Sequence, residues 1–266
     1  MITLRQNKDD IATILYPDNQ PQIKLIRFLN EGDTVRVVWP ICSSLNLLQL
    51  LLISDALDRK FVEKYELVIP YLLGARSDRL MNENEAVPLK VIANLINSCN
   101  FQKVKIFDPH SDVSTALINN SIAISNYELI MRYNKDNALV ICPDTGAAKK
   151  VSKYFEWNKN LQFLTYCDKH RDLQTGKVDL KVFNVAAAKN RNCVIIDDLC
   201  DGGATFLAIA KQIDPAHLTL IVSHGIFSKG FGELTKYFDH IITSDSYPIT
   251  GDIPNKLTII PVNYKL

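Results

Sequence analysis

The chain has no CxxC pair: its six cysteines, Cys42, Cys99, Cys142, Cys167, Cys193 and Cys200, are scattered, so nothing is spaced as a paired-thiol motif. Most sit inside apolar runs and are expected to behave as small buried hydrophobes in a reducing compartment. Net charge is nearly absent too. With 30 Lys+Arg against 29 Asp+Glu the formal charge is +1, which excludes an overall basic field for nucleic acid or an anionic membrane. Any phosphate must therefore be bound locally. Long apolar runs are also missing. The opening MITLRQNKDD has no apolar core of a secretory signal, and the greasiest stretch, Leu45 to Leu57, is broken by Asn46, Gln49, Ser54 and Asp55. The expectation is a soluble cytoplasmic protein with neither nucleic acid nor membrane as a partner.

What is present is a chain of 266 residues, 47% hydrophobic, long enough for two cores of ordinary size. Short runs rich in Val and Ile alternate with segments at helical spacing, the mark of βαβ units around parallel sheets. Strands are predicted at Thr34 to Trp39, Leu67 to Pro70, Val104 to Phe107, Ala138 to Cys142, Gln162 to Tyr166, Cys193 to Ile196, Leu218 to Val222 and His240 to Thr243. Leu89, Ile92, Ala93 and Ile96 form an i, i+3, i+4, i+7 stripe, as do Phe206, Ile209, Ala210 and Ile213, so both segments are predicted helices burying one face. An apolar strand running into an Asp-containing turn occurs twice, in KVKIFDPHSD and in CVIIDDLCDG. Two α/β lobes are expected, 1–130 and 131–266. No low-complexity linker separates them, so a shared interface with a site between lobes is expected.

The stretch CVIIDDLCDGGATFLAIAKQI, 193–213, shows what such a site would hold. Ligands of parallel sheets gather beyond the carboxyl ends of the strands, where helix N-termini present unpaired N–H groups. Asp201, Gly202, Gly203, Ala204 and Thr205 offer glycines where a phosphate must approach the backbone closely, plus a hydroxyl donor. Asp197 and Asp198 would repel a phosphate and must serve either the vicinal hydroxyls of a sugar or a divalent cation.

This loop resembles that of type I phosphoribosyltransferases and of ribose-phosphate diphosphokinases, and the rest of the chain is similar to the latter family. GARSDRLMNENEAVPLKVIANLI at 74–96 resembles its ATP-site segment, FDPHSD at 107–112 its Asp-Leu-His-Ala turn, CPDTGAAKK at 142–150 its pyrophosphate loop, and DKHRD at 168–172 its catalytic Lys-Arg-Arg loop. SHGIF at 223–227 and ITSDSYPI at 242–249 continue the match in order, which runs from about Tyr16 onward. The resemblance implies two type I phosphoribosyltransferase-like lobes, each a mostly parallel sheet flanked by helices. It further implies Mg²⁺ as cofactor, ATP and a ribose 5-phosphate-like acceptor as ligands, and a homo-oligomer. By resemblance Arg76, Asp78 and His110 contact ATP, with Asp18 near the adenine. Asp144, Thr145, Gly146, Ala147 and Ala148 hold pyrophosphate, and His110 and Asp144 meet the metal. Read without it, His110 is an ordinary structural histidine and Arg76 and Asp78 a solvated turn. Lys169 and Arg171 lie in a stretch without apolar periodicity, 168–177, expected as a loop. Phosphoryl transfer relies on positioning and on cations that meet developing charge, so these two are the candidate transition-state contacts.

The sequence also departs from the family. The βα unit expected before the adenine segment is missing, and of that segment's Phe-Ser-Asp-Gly-Glu only YPDNQ at 16–20 lines up. His170 replaces the middle arginine of the catalytic loop. In the sugar loop the family's Asp-Thr-Gly-Gly-Thr has become DGGAT: Gly202 removes a hydroxyl and Ala204 adds a methyl. A lost hydrogen bond to a charged group is worth roughly 1.5–3 kcal/mol. The acceptor is accordingly expected to be ribose 5-phosphate, bound more weakly, or a ribose with a larger 5′ group such as ADP-ribose. The expected reaction moves the β,γ-diphosphoryl group of Mg-ATP to the anomeric hydroxyl and releases AMP. A phosphoribosyltransferase would leave ARSDR, DPH and DKHRD unexplained, and a non-catalytic regulatory relative would need neither Lys169 nor Arg171.

Overall fold

Runs that are β-branched and apolar on both faces fit the interior of a parallel sheet, where helices cover each side. The computed structural model describes residues 1–144, 148–171 and 178–262, and it contains two mostly parallel sheets with flanking helices. The chain divides into two units between Ser125 and Asn126.

In the first unit five parallel strands lie in the order β1 (Ile2–Leu4), β4 (Thr34–Val38), β5 (Glu63–Ile69), β6 (Lys103–Phe107) and β7 (Ser121–Ile124). An antiparallel hairpin, β2 (Ile11–Leu15) and β3 (Pro21–Leu25), follows β1 with no helix between them. One face of the sheet, carrying Val35, Val37, Leu67, Ile69, Val104 and Ile106, shares a core with α1 (Ser44–Asp58) and α2 (Pro88–Asn97). All four stripe residues of α2 are buried, and Pro88 opens the helix where its missing N–H costs nothing. Ser43 caps α1 by accepting from the Asn46 N–H at 3.2 Å. A short helix, α3 (Val113–Leu117), precedes β7.

The other face of this sheet carries charge. Arg36, Glu66 and Lys105 stand on three adjacent strands; Arg36 Nε pairs with Glu66 Oε1, and Lys105 Nζ lies 3.1 Å from Glu66 Oε2. Glu66 and Lys105 are buried, with side chains only 2% and 4% exposed. A register shift between Val35 and Arg36 sets Glu66 opposite Arg36.

The second unit has seven strands in the order β10 (Val178–Val182), β9 (Leu161–Arg171), β8 (Ala138–Cys142), β11 (Asn192–Cys200), β12 (His217–Gly225), β13 (His240–Ser244) and β14 (Leu257–Ile260). All pairings are parallel except β9 with β10. The helices are α4 (Tyr127–Met131), α5 (Ala148–Trp157), α6 (Ala204–Ala210) and α7 (Leu234–Tyr237). Ile195, Leu220, Val222 and Ile241 of the sheet pack with Phe206 and Ile209 of α6 and with Phe238.

Three expectations need correction. The segment Asp168 to Arg171 is not loop: it extends β9, because β10 supplies a partner with Asp168 opposite Lys181 and Arg171 opposite Val178. Asp197 and Asp198 do not follow the strand but lie inside β11, which pairs with β12 as far as Cys200. The helix carrying Phe206 ends at Ala210, one turn before Ile213. There the Gln212 side chain donates to Leu180 O and accepts from the Val182 N–H, tying the chain to β10, and Pro215 disfavours helix at Asp214. Among the described residues no helix is long and apolar enough to cross a membrane.

Candidate active site

The first cluster forms where β5 and β6, neighbours in the sheet, end side by side. The turn after β5 carries Arg76 to Arg79, and the turn after β6 carries Asp108 to Ser111, with Asp108 at φ +35 and its N–H held by Ile124 O at 2.9 Å. Together they line a cavity of about 540 Å³ whose walls include Arg76, Asp78, Arg79, Glu85, Pro88 and His110. Sequence reading singled out Arg76 and Asp78; the structure adds their supports. Asp78 accepts a two-pronged contact from Arg79, Nε at 2.7 Å and Nη2 at 3.1 Å, and a third hydrogen bond from Ser111 Oγ at 2.6 Å. The Arg79 guanidinium, then the Ser111 hydroxyl and the charge of His110, hold the Asp78 carboxyl down at about 2 against the opposing effect of burial. Asp78 is thus a fixed internal acceptor that shapes the turn, while Arg76 and His110 face the cavity. The signals for Arg79 and Ser111 were in ARSDR and PHSD, where each sits next to a residue already chosen.

Asp18 lies at the tip of the β2–β3 hairpin, where its Oδ1 accepts from the Gln20 N–H at 3.1 Å in a turn that also puts Asn19 at φ +67. It does not line the Arg76–His110 cavity.

The second cluster forms in the other unit, where β8 ends beside its parallel neighbour β11, which runs on to Cys200. Ile141 aligns with Ile195, so Asp144, two residues past β8, comes near Asp197. Asp197 is pushed well above the usual carboxylate range, first by burial, then by the charge and hydrogen bonding of Asp198 beside it, with Asp144 adding a further negative charge. The Asp198 N–H donates to Asp197 Oδ1 at 2.9 Å and partly offsets this. Burial first, and then the charges of Asp144, Cys167 and Asp197, raise the nearby Cys142 thiol to about 12. The thiol is therefore inert packing, not a nucleophile. Beyond Cys200 the chain turns through exposed Asp201 and through Gly202 and Gly203, the latter at φ +77, into α6, whose first residues are Ala204 and Thr205.

A residue that sequence reading missed joins this turn. The loop after β12 folds back on it: the Ile226 and Phe227 N–H groups donate to Cys200 O at 2.9 and 3.2 Å, and the Ser228 N–H donates to Asp201 O at 3.1 Å. The Ser228 hydroxyl donates to Asp201 Oδ1 at 2.6 Å. Lys229, next along, lays its methylenes over Gly202, so closely that a side chain there would meet Lys229 Cδ at 3.2 Å.

SHGIF and ITSDSYPI meet as a buried hydroxyl network at the ends of β12 and β13: Ser244 Oγ donates to Ser223 O at 2.5 Å, and His224 Nδ1 lies 2.8 Å from Ser246 Oγ. Their part is structural.

Thr145, Gly146 and Ala147 lie outside the described residues, as do the side chains of Ala148, Lys169 and Arg171. His110 and Asp144 fall in different units. Among the described residues no three His, Cys, Asp or Glu side chains are grouped to hold a metal ion.

A sequence model of the N-terminal domain of ribose phosphate pyrophosphokinase matches residues 18–99. The chain is 26% identical over 255 residues to the ribose-phosphate pyrophosphokinase of Mycoplasma pneumoniae, covering 88% of this chain and 75% of that one. With the enzyme of Sulfurisphaera tokodaii it shares 24% identity over 260 residues, 94% of this chain and 87% of the other. The crystal structure of phosphoribosylpyrophosphate synthetase from Mycobacterium smegmatis has the same fold, with a TM-score of 0.83 over 98% of this chain and 94% of that one at 16% identity. In its colinear motifs and along most of its length the chain is similar to the ribose-phosphate pyrophosphokinases, and it shares the fold of a phosphoribosylpyrophosphate synthetase.

Proposed function

We propose that the chain is a diphosphotransferase that makes 5-phosphoribose 1-diphosphate from ATP and ribose 5-phosphate, releasing AMP. The observation that carries this reading is the acid pair Asp197 and Asp198 in β11, with Asp144 past the end of the neighbouring β8 adding its charge, just ahead of the DGGAT turn. Asp197 and Asp198 side by side, with the charge of Asp144 also acting on Asp197, are costly to keep ionised unless they meet hydroxyl donors or a cation. A ribose supplies the former: Asp197 and Asp198 accept from its vicinal hydroxyls, and the turn from Asp201 to Thr205 faces the 5′-phosphate.

The anomeric oxygen then attacks the β-phosphorus of ATP. The bond from that phosphorus to the α,β-bridging oxygen breaks, AMP leaves with that oxygen, and the hydroxyl proton passes to solvent or to a neighbouring carboxylate. Arg76 and His110 bind the nucleotide in the cavity that the Asp78–Arg79 contact shapes. Residues 144–148 hold the moving diphosphate, and Lys169 and Arg171 meet the charge that develops on it. The hard oxygen donors of Asp144 and Asp197 fit Mg²⁺, which keeps most of its waters, binds through one or two carboxylates plus substrate phosphates, and so needs no three-residue cage. Bound there, the ion would neutralise charge on the phosphates.

The test is AMP release from Mg-ATP with ribose 5-phosphate and, in parallel, with ADP-ribose, using Lys169→Ala and Asp197→Asn as controls. AMP in proportion to sugar consumed, lost in both variants, supports the reading and names the acceptor. Nucleotide binding without AMP from either sugar would refute it in favour of a regulatory relative.

A further inference from the structure

Deepening that reading, and resting on it, we propose that Lys229 is a ligand for the 5′-phosphate of the acceptor and replaces a hydroxyl that the sugar loop lacks. Gly202 stands where the family's loop has threonine, so this chain is one donor short at that turn. The structure fills the same place with the stem of a lysine. Lys229 Cγ and Cε lie 3.3 Å, and Cδ 3.2 Å, from where a Gly202 side chain would begin, so the lysine stem occupies the space a threonine would take. The residue is exposed, which leaves its ammonium available to a ligand arriving from solvent.

Two features make this placement more than a surface lysine at rest. The loop that delivers it is fastened to the acidic turn by four hydrogen bonds, from Ile226, Phe227 and the Ser228 N–H and hydroxyl. The lysine's root therefore moves with the sugar loop. The Ser228 hydroxyl also occupies one oxygen of Asp201, the acid nearest in sequence, and so weakens its claim on the ammonium. A phosphate dianion entering beside Asp197, Asp198 and Asp201 needs a compensating charge, and a compact, strongly hydrated ammonium on a four-carbon stem supplies one without demanding fork geometry. Gly202 is what admits it, because any larger residue would push the stem away.

The experiment compares wild type with Lys229→Met, which keeps the methylenes over Gly202 and removes only the charge, and with Lys229→Arg. Calorimetric titration uses ribose 5-phosphate and, separately, ribose. For Lys229→Met the ribose 5-phosphate Kd and KM are expected to rise by about tenfold or more, the scale of one charge-assisted hydrogen bond. Ribose binding and the KM for ATP stay at wild-type values, and Lys229→Arg recovers most of the affinity. Unchanged ribose 5-phosphate binding in Lys229→Met, with an active wild type, overturns this inference alone. Equal weakening for ribose also overturns it, since the loss would then not concern the phosphate. A wild type that neither binds ribose 5-phosphate nor releases AMP defeats the parent reading, and this one with it.

Discussion

Asp78→Asn tests whether charge or shape holds the turn after β5. In the folded chain Asp78 has its side chain only 3% exposed, bridged by Arg79 and bonded to Ser111, and its carboxyl titrates at about 2 against an ordinary 3.8. At about 1.4 kcal/mol per pH unit, the charged form gains at most ~2.5 kcal/mol from folding. The Arg79 side chain is 68% exposed and screened by solvent, which brings the expected loss in Asp78→Asn to about 1–2 kcal/mol. The sign fixes the pH window. A depressed carboxyl contributes its stability above its unfolded value and loses it as pH falls through its folded value, so the gap between wild type and variant is full at pH 7 and closes between about pH 4 and 2. Urea unfolding followed by far-UV circular dichroism at pH 7 and pH 3 reads this directly. A gap that is equally large at both pH values, or a variant as stable as wild type at pH 7, would refute the electrostatic account. Combining Asp78→Asn with Arg79→Met should give a coupling of about 1 kcal/mol, since both remove the same contact.

Asp197→Asn is expected to move stability and activity in opposite directions. Its carboxyl titrates above the usual range when folded, so its ionised form burdens the fold as pH rises; the variant should match wild type near pH 3, exceed it at pH 7 by on the order of 1 kcal/mol in thermal melts, and lose AMP release. Glu66→Gln leaves Arg36 and Lys105 without their shared anion and should cost about 3–5 kcal/mol in urea unfolding, whereas replacing all three residues by apolar ones of similar volume should cost far less.

Strands buried on both faces were legible in the sequence, because runs such as LVIP, ALVIC and CVII leave no polar face to mistake. The helix at 88–97 was legible for the matching reason, its stripe at helical spacing. The short edge strands β1, β7 and β14 were not, since three or four residues carry little periodicity, nor was the hairpin with its polar PQIKL. What turned 168–171 into strand was a partner strand at 178–181, and pairing of that kind leaves no mark in composition. In the site, the acids and glycines could be read from residue type and spacing. Lys229 could not, because it comes to Gly202 from 27 positions away, and what marks it is the empty space of a glycine.

The register shift beside Arg36 governs which way the central strands close. Lys64 and Leu67 both face α1, Lys64 through contacts to Ser54 and Asp58 and Leu67 through the core, yet they are three residues apart where simple alternation allows two or four. The bulge absorbs the odd residue at Tyr65 and turns Glu66 away from the helices, toward Arg36 and Lys105. Straightening the strand would carry a carboxylate into the apolar layer beneath α1 and strand two cations on the other side. That mispairing is penalised twice, so a growing sheet rejects the slipped alignment early. The surviving alignment is the one that sets Ile69 of β5 level with Ile106 of β6, and the Arg76–His110 cavity beyond them inherits its shape from a slip the fold does not tolerate.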